Sequence, residues 1–355
     1  MAKITLTYYT MTVFETLDKK HSYPVVIGDI VDKYGNDFSN IAKKYFYNCA
    51  LSYQNDTKKE NLFRAELFNL NNHYYDGLFY FKSITGIVKS GNYGIEGELV
   101  DSANTAMRRP INSTEAPVLP FGFGIFYNPE RDSAILVLQS VGRNGITAQM
   151  KTRLDNMVAE VNPNYTVQII NVAPTRMIMQ LFNDDKVKSI KYEVYAPNNT
   201  IAVEDRLGQT TTLTTSSKTT IIKRPVINNV EFWIKLFTNR TKLSTLTGLA
   251  NGEEELENIS VEFNNKTLNY NAYTNTKVSE DISEHFKDEP NVVPERLFNI
   301  MIENVLPYLT EAQIIERLPV DNVNIDKRLE YTFYNELNEE TKEEKVIERD
   351  FAVIV

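Results

Sequence analysis

Residues 118–127 have the sequence Val-Leu-Pro-Phe-Gly-Phe-Gly-Ile-Phe-Tyr, and residues 133–141 have the sequence Ser-Ala-Ile-Leu-Val-Leu-Gln-Ser-Val. Both runs are short and apolar, and the second is apolar on both faces, which favours a central strand of a sheet. Asn128-Pro-Glu-Arg-Asp132 lies between them and has the composition of a turn. The sequence therefore predicts a buried antiparallel hairpin.

The segment after this hairpin predicts a helix packed on the sheet. Between residues 146 and 161 the apolar side chains recur on one helical stripe, and Pro163 follows where a helix commonly stops. Further elements are predicted as strands at 165–172 and 187–195 and a helix at 175–182. Residues 118–195 thus predict one α+β unit.

The rest of the chain predicts more strands and helices. Strands are expected at 3–14, 62–69, 73–83, 86–88, 93–100, 229–237 and 259–270, helices at 39–51 and 294–309, and a closing hairpin at 328–337 and 346–355. Asn71-Asn72, Asp76-Gly77 and Gly91-Asn92 indicate turns of a meander. The Thr-rich run 210–220 predicts either a loop or an exposed hairpin. Together these elements predict an α+β fold with largely antiparallel sheets and two domains, 1–224 and 225–355.

Composition limits the classes of protein to which the chain can belong. Cys49 is the only cysteine, so an intramolecular disulfide and a Cys-based metal cluster are excluded. It falls on the apolar face of the 39–51 helix, which indicates a core residue. The N-terminus lacks the pattern of a signal peptide, and no apolar run is long enough to span a membrane. We therefore expect a cytoplasmic protein without direct membrane insertion.

Catalytic motifs are missing from the sequence. His21, His73 and His285 are not spaced as metal ligands, and phosphate-binding and nucleophile motifs do not occur. Glu96 and Glu98 form a carboxylate pair that keeps a metal-dependent nuclease open as an alternative. Otherwise the sequence predicts no metal, no cofactor and no enzymatic activity.

Charge is divided unevenly along the chain. Residues 250–355 contain 24 acidic and 10 basic side chains, a net charge of −14, whereas residues 1–249 carry +5. Within 140–224 there are 11 basic and 7 acidic residues. Such asymmetry is typical of a nucleic-acid or partner surface, although two solvated parts would also explain it.

Nine residues are candidates for nucleic-acid contacts. The turn before the helix at 146 would offer backbone N–H groups to phosphate, and neighbouring cations would add sequence-independent affinity. The candidates are Arg108, Arg109, Arg143, Asn144, Lys151, Arg153, Lys218, Lys223 and Arg224.

Four segments resemble the central region of phage-exclusion proteins of the Rex A type and of the related DNA-sensing subunit of the Kiwa anti-phage system. They are Pro120-Phe-Gly-Phe-Gly-Ile-Phe-Tyr, Ala134-Ile-Leu-Val-Leu-Gln-Ser-Val-Gly-Arg-Asn-Gly-Ile-Thr, Val167-Gln-Ile-Ile-Asn-Val-Ala-Pro and Val187-Lys-Ser-Ile-Lys-Tyr-Glu-Val. The resemblance covers about 80 of the 355 residues. It implies a dimeric, DNA-binding defence protein that acts with a separate membrane effector.

The leading hypothesis is thus a non-catalytic anti-phage defence or exclusion protein that binds nucleic acid or a phage nucleoprotein complex and forms a homo-oligomer. The acidic last third would dock a partner or compete with DNA for the basic surface. The alternatives are a protein-interaction or assembly component without nucleic-acid binding, and a metal-dependent nuclease.

Overall fold

The fold is given by a computed structural model, which describes residues 2–17, 21–57, 60–75, 78–94, 96–100, 107–184, 186–204, 210–227, 229–238, 255–271, 274–287, 292–315, 328–333 and 345–350. The strands are β1 Ile4–Thr16, β2 Ser22–Pro24, β3 Gln54–Asp56, β4 Asn61–Tyr75, β5 Leu78–Asn92, β6 Gly97–Val100, β7 Arg108–Ile111, β8 Leu119–Tyr127, β9 Ser133–Val141, β10 Asn144–Gly145, β11 Tyr165–Asn171, β12 Ser189–Glu204, β13 Thr210–Lys223, β14 Glu255–Glu262, β15 Lys266–Asn271, β16 Thr274–Asp281, β17 Arg328–Phe333 and β18 Lys345–Asp350. The α-helices are α1 Phe38–Leu51, α2 Thr147–Val161, α3 Thr175–Asp184, α4 Val230–Phe237 and α5 Pro294–Glu311.

The predicted α+β class is confirmed. The four helices predicted from the sequence are present as α1, α2, α3 and α5, and the predicted hairpin is present as β8 and β9. The strand pairs β4–β5, β8–β9 and β12–β13 are antiparallel. Residues 128–132 form the predicted turn, and β8 pairs with β9 with Phe123 opposite Leu138. Cys49 is fully buried, as its helical face predicts.

The chain divides into two compact units. The first unit comprises residues 1–4, 10–169 and 285–355, and the second comprises residues 5–9 and 170–284. The sequence-based boundary at 224/225 falls inside the second unit, because β12, before it, pairs with β14, after it. Sequence proximity could not reveal this pairing.

The first unit is built on a sheet with the strand order β9-β8-β5-β4-β17-β18. Helix α1 packs on β4, where Phe46 stacks between Phe68 and Phe123 at centroid distances of 5.3 and 5.0 Å. Helix α5 packs on β8 and β9. A Cβ atom at Gly122 would clash with Leu297 of α5, so this glycine allows the helix to lie close to the sheet. Helix α5 continues through Pro307 to Glu311.

Strands β4 and β5 correct the predicted meander. They form one long hairpin of two 15-residue strands rather than several short ones. Asn71 and Asn72 lie within β4, opposite Ser83 and Lys82, and form no turn. The Asp76-Gly77 turn lies outside the described residues. Two shifts in register relieve the strain of such long pairing.

A row of buried polar side chains crosses β4 and β5, consisting of Asn69, Asn71, His73, Ser83 and Thr85. The His73 Nε2 atom lies 2.7 Å from the Ser83 hydroxyl, and its ring stacks on Phe81 at 4.3 Å. The Nδ1 atom of His73 has no hydrogen-bond partner. Burial lowers the pKa of His73 to about 4, because the charged imidazolium would be desolvated.

The second unit has the strand order β13-β12-β14-β15-β16-β1, with β1 contributing residues 5–9. Its helix α4 replaces the strand predicted at 229–237. The Asn229 side chain caps this helix by accepting a hydrogen bond from the Phe232 amide at 3.0 Å. Stacking of Phe182 on Trp233, at 6.2 Å, packs α4 against α3. The Thr-rich run 210–220 forms the hairpin arm β13 and not a loop.

A buried ion pair lies between the strands of the second unit. The Lys266 ammonium is 2.6 Å from the Glu280 carboxylate, which also accepts a hydrogen bond from the Tyr8 hydroxyl at 2.9 Å. The Glu280 side chain is only 5% exposed. The Lys266 side chain is 20% exposed, so the Glu280 carboxylate is the charge that is removed from water and that needs its partner for stabilisation.

Candidate nucleic-acid interface

An open groove of about 570 Å³ lies at one end of the second unit's sheet. The chain enters it after α3, passes into β12, and returns to it where β13 ends and α4 follows. Its apolar lining consists of Phe182, Val187, Pro225, Ile227 and Val230, and its cationic lining consists of Lys186, Lys188 and Arg224. The volume falls in the range of sites that hold small ligands or parts of larger ones.

The three cations of this groove are available to an anion. Lys186, Lys188 and Arg224 are exposed. The Lys188 ammonium donates to the Asn264 carbonyl at 3.1 Å, which fixes its position at the groove. In the part of the chain that the structure describes, none of the three forms an ion pair.

Arg224 has an unusual backbone conformation. Its φ is 50°, in the left-handed region, which costs a residue with a Cβ atom about 1–2 kcal/mol. Its amide donates to the Lys188 carbonyl at 2.8 Å, so the strained turn joins the two cationic segments. Glycine would fit this position without strain, and the presence of arginine indicates a role for its side chain.

The groove floor is held by a cluster of aromatic rings. Phe182 is buried and contacts Phe237 and Phe263 at centroid distances of 5.9 and 5.2 Å. Ile227 and Val230 are half-buried and complete the apolar lining. Packing of these rings thus supports the apolar side of the groove from beneath.

Further charges lie on the strands that lead away from the groove. Lys223 and Lys191 are exposed on neighbouring strands. Glu193 is held by Asn258 at 2.8 Å and by Thr219 at 3.2 Å, and the hydrogen bond from Asn258 is the main reason that the pKa of Glu193 lies below its usual value. Lys191 lies 3.6 Å from this carboxylate, so Lys223 is the stronger extension of the cationic groove.

The candidates in the first unit are mostly neutralised by nearby acids. Arg108 and Arg109 lie on β7, where their partners are Glu98 at 3.8 Å and Glu115 at 2.9 Å. Lys151 on α2 is 2.6 Å from Asp155, one turn along the helix. These three cations remain exposed, but their fields are offset by a carboxylate.

Arg143 and Asn144 lie in an exposed turn, as the sequence predicts. Asn144 forms the short bridge β10, opposite Val141. Helix α2 then begins at Thr147 without a side-chain cap at Ile146. Arg143 forms no ion pair within the described ranges and does not line the groove of the second unit.

The structure corrects the prediction that Arg153 lies on a surface that contacts nucleic acid. Its side chain is 8% exposed and donates to the Gln54 side-chain oxygen at 2.7 Å, while the guanidinium lies 5.0 Å from the centre of the Phe63 ring. Arg153 falls three residues after Met150, on the buried stripe of α2. It therefore joins α2 to β4 and cannot contact a phosphate backbone in this position.

Of the three candidates in the second unit, Arg224 lines the groove and Lys223 precedes it at the end of β13. The side chain of Lys218 lies outside the described residues. Sequence reasoning missed Lys186 and Lys188. The signal was the pattern Lys186-Val-Lys188, which places two cations on one side of the chain as it enters a strand.

The residues considered for metal-dependent chemistry do not assemble into a site. Glu98 lies on β6 beside Arg108, and Glu96 precedes the strand. Across the described ranges, no three His, Cys, Asp or Glu side chains come together in an arrangement suited to a metal ion. His73 is a buried structural residue of the first unit.

Comparisons with known proteins add no relatives: no protein-family model matches the chain, and no curated protein matches it. None of the helices described here has the length and apolar character needed to cross a membrane.

Proposed function

We propose that this chain is a non-catalytic nucleic-acid-binding protein that uses the cationic groove of its second unit. The observation that carries the proposal is the convergence on one open groove of Lys186, Lys188 and Arg224, which form no ion pair with any carboxylate among the residues that the structure describes. Unpaired cations around a groove attract phosphates and release bound counterions, which gives affinity without sequence preference. The strained backbone of Arg224 supports a role in binding over a role in stability.

The biological role that we propose for this binding is anti-phage defence or exclusion in the cytoplasm, as the resemblance to Rex A-type proteins implies. In this role the chain would form a homo-oligomer and act with a separate membrane effector. Its acidic last third would engage a partner or compete with nucleic acid for the cations. Co-purification of the full chain with a membrane protein from phage-challenged cells would support the proposed effector. If no membrane protein co-purifies from such cells, the proposal of an effector is contradicted.

The test of binding is a fluorescence anisotropy titration of the full chain with labelled DNA across a series of salt concentrations. We expect affinity to fall steeply between about 50 and 200 mM salt. The triple substitution Lys186→Gln, Lys188→Gln and Arg224→Gln should reduce the log–log salt slope by about 2 to 3, since each phosphate contact contributes about 0.7 to 0.9.

The matched control removes the same number of charges from cations that already have acidic partners. Arg108→Gln, Arg109→Gln and Lys151→Gln should leave the salt slope close to that of the wild type. Arg224→Gly is a second diagnostic variant, because it removes a groove charge while relieving the left-handed backbone. Absence of salt-dependent binding in the wild type would refute the proposed function.

A protein-interaction function is the second candidate, and the exposed apolar side chains beside the groove favour it. Val226 is 84% exposed and Ile221 is 57% exposed. A stable complex with another protein, together with no binding to nucleic acid at any salt concentration, would establish this alternative.

A further inference from the structure

The groove combines two chemistries that one class of nucleic acid matches. Its lining includes three exposed cations and the half-buried apolar side chains of Val187, Ile227 and Val230, which together are called the apolar floor below. A duplex presents its phosphates and sugars outward and keeps the base faces stacked inside. A duplex would therefore contact the cations through its phosphates and leave the apolar floor uncovered.

From this combination we infer that the groove binds single-stranded nucleic acid, with one unstacked base seated on the apolar floor and the flanking phosphates held by Lys186, Lys188 and Arg224. This inference rests on the proposed function and specifies its ligand. Single-strand sites commonly pair a cationic track with a surface that takes the face of a base. Bases in a single strand are free to leave the stack, so no pairing energy opposes their entry.

The positions of the cations fit this arrangement. Lys186 and Lys188 flank Val187 on the chain that enters β12, and Arg224 lies beside Lys188 through the hydrogen bond of its amide. The cations therefore lie on two segments that meet at one groove, whose lining also contains apolar side chains. A base on the floor would have phosphates on both sides of it within reach of opposite charges.

The experiment compares oligothymidine with a duplex of the same length, using the full chain and fluorescence anisotropy at several salt concentrations. We expect oligothymidine to bind at least tenfold more tightly than the duplex, since a buried base adds apolar contact to the phosphate term. Equal affinity for both ligands would overturn the inference while leaving the proposed function in place. Failure of both to bind would refute the proposed function itself.

Two floor variants separate apolar contact from charge. Ile227→Ser should weaken oligothymidine binding roughly tenfold, which corresponds to the loss of one or two buried methylenes, and should leave the salt slope unchanged. Val226→Ser is the matched control, because Val226 is an exposed neighbour that does not line the groove. If Ile227→Ser and Val226→Ser have the same effect, the base does not occupy the floor.

A competition experiment with a peptide tests whether the groove binds a protein segment instead of a nucleic acid. An acidic peptide of alternating Glu and Leu presents negative charge and apolar surface together, as a protein partner of this groove would. We expect oligothymidine to remain bound when this peptide is added at equal concentration. Displacement of oligothymidine by the peptide at lower concentration would assign the groove to a protein segment and overturn the inference.

Discussion

Acidification should destabilise the fold through His73. The ordinary pKa of a histidine is 6.5, and burial lowers that of His73 to about 4. In the unfolded chain the imidazole takes up a proton as the pH falls below 6.5, whereas in the folded chain it resists protonation until about pH 4. The unfolded state therefore binds more protons across this window, and the free energy of unfolding decreases as the pH falls.

The size of this effect follows from the difference between the two pKa values. About 2.5 pKa units at 1.36 kcal/mol each correspond to a loss of roughly 3 kcal/mol between pH 6.5 and 4. The variant His73→Gln removes the titrating group and keeps a polar side chain facing Ser83. We expect its free energy of unfolding to fall less steeply with acid than that of the wild type, by roughly 3 kcal/mol over the window.

The assay is urea unfolding of the wild type, His73→Gln and a control variant at a series of pH values between 6.5 and 4. His285→Gln is the control, because His285 is exposed and its backbone carbonyl, not its side chain, accepts from Arg296. This control should keep the steep acid dependence of the wild type. If His73→Gln loses stability as steeply as the wild type, then burial of His73 does not set the acid dependence.

Two further predictions concern buried charges. Arg153→Ala should lower the free energy of unfolding by about 2–4 kcal/mol, because it leaves Gln54 without its donor and removes the cation from the Phe63 ring. Lys151→Ala on the same helix should cost less than about 0.5 kcal/mol in urea unfolding, and equal losses would contradict the structural role of Arg153. Lys266→Met should cost about 3–5 kcal/mol, since it leaves an unpaired buried carboxylate. Adding Glu280→Gln to Lys266→Met should restore much of that loss, and a failure to restore it would show that the pair contributes through packing rather than charge.

The central hairpin and helix α2 could be predicted because their signals are local. The runs at 118–127 and 133–141 are continuous and apolar, and α2 has a helical stripe of buried residues. Such patterns depend only on neighbours within a few residues. Tertiary contacts then stabilise what the pattern already favours.

The errors arose where distant contacts decide the structure. Residues 229–237 form α4, because a short apolar run fits a helix or a strand equally, and packing on α3 selects the helix. Asn229 was the local signal for a helix start. Asn71 and Asn72 have turn chemistry, yet the long pairing of β4 with β5 keeps them in a strand.

The candidate site was only partly predictable for the same reason. Lys223 and Arg224 could be named from charge, but the convergence of Arg224 with Lys186 and Lys188 depends on the pairing of β13 with β12, which brings Arg224 back beside Lys188. The partners that neutralise Arg108, Arg109 and Lys151, by contrast, lie within about ten residues of each cation. Charge counting treats paired and unpaired cations alike, so it could not separate the two groups.

The position of β1 in the sheet delays its pairing while the chain is being synthesised. Residues 5–7 pair with residues 279–281, so β1 cannot form its pairing with β16 until residue 281 has been synthesised. At ribosomal rates the interval between these partners is on the order of tens of seconds. During that time the apolar residues of β1 are not paired with β16, so we expect a ribosome-associated chaperone to bind the nascent chain.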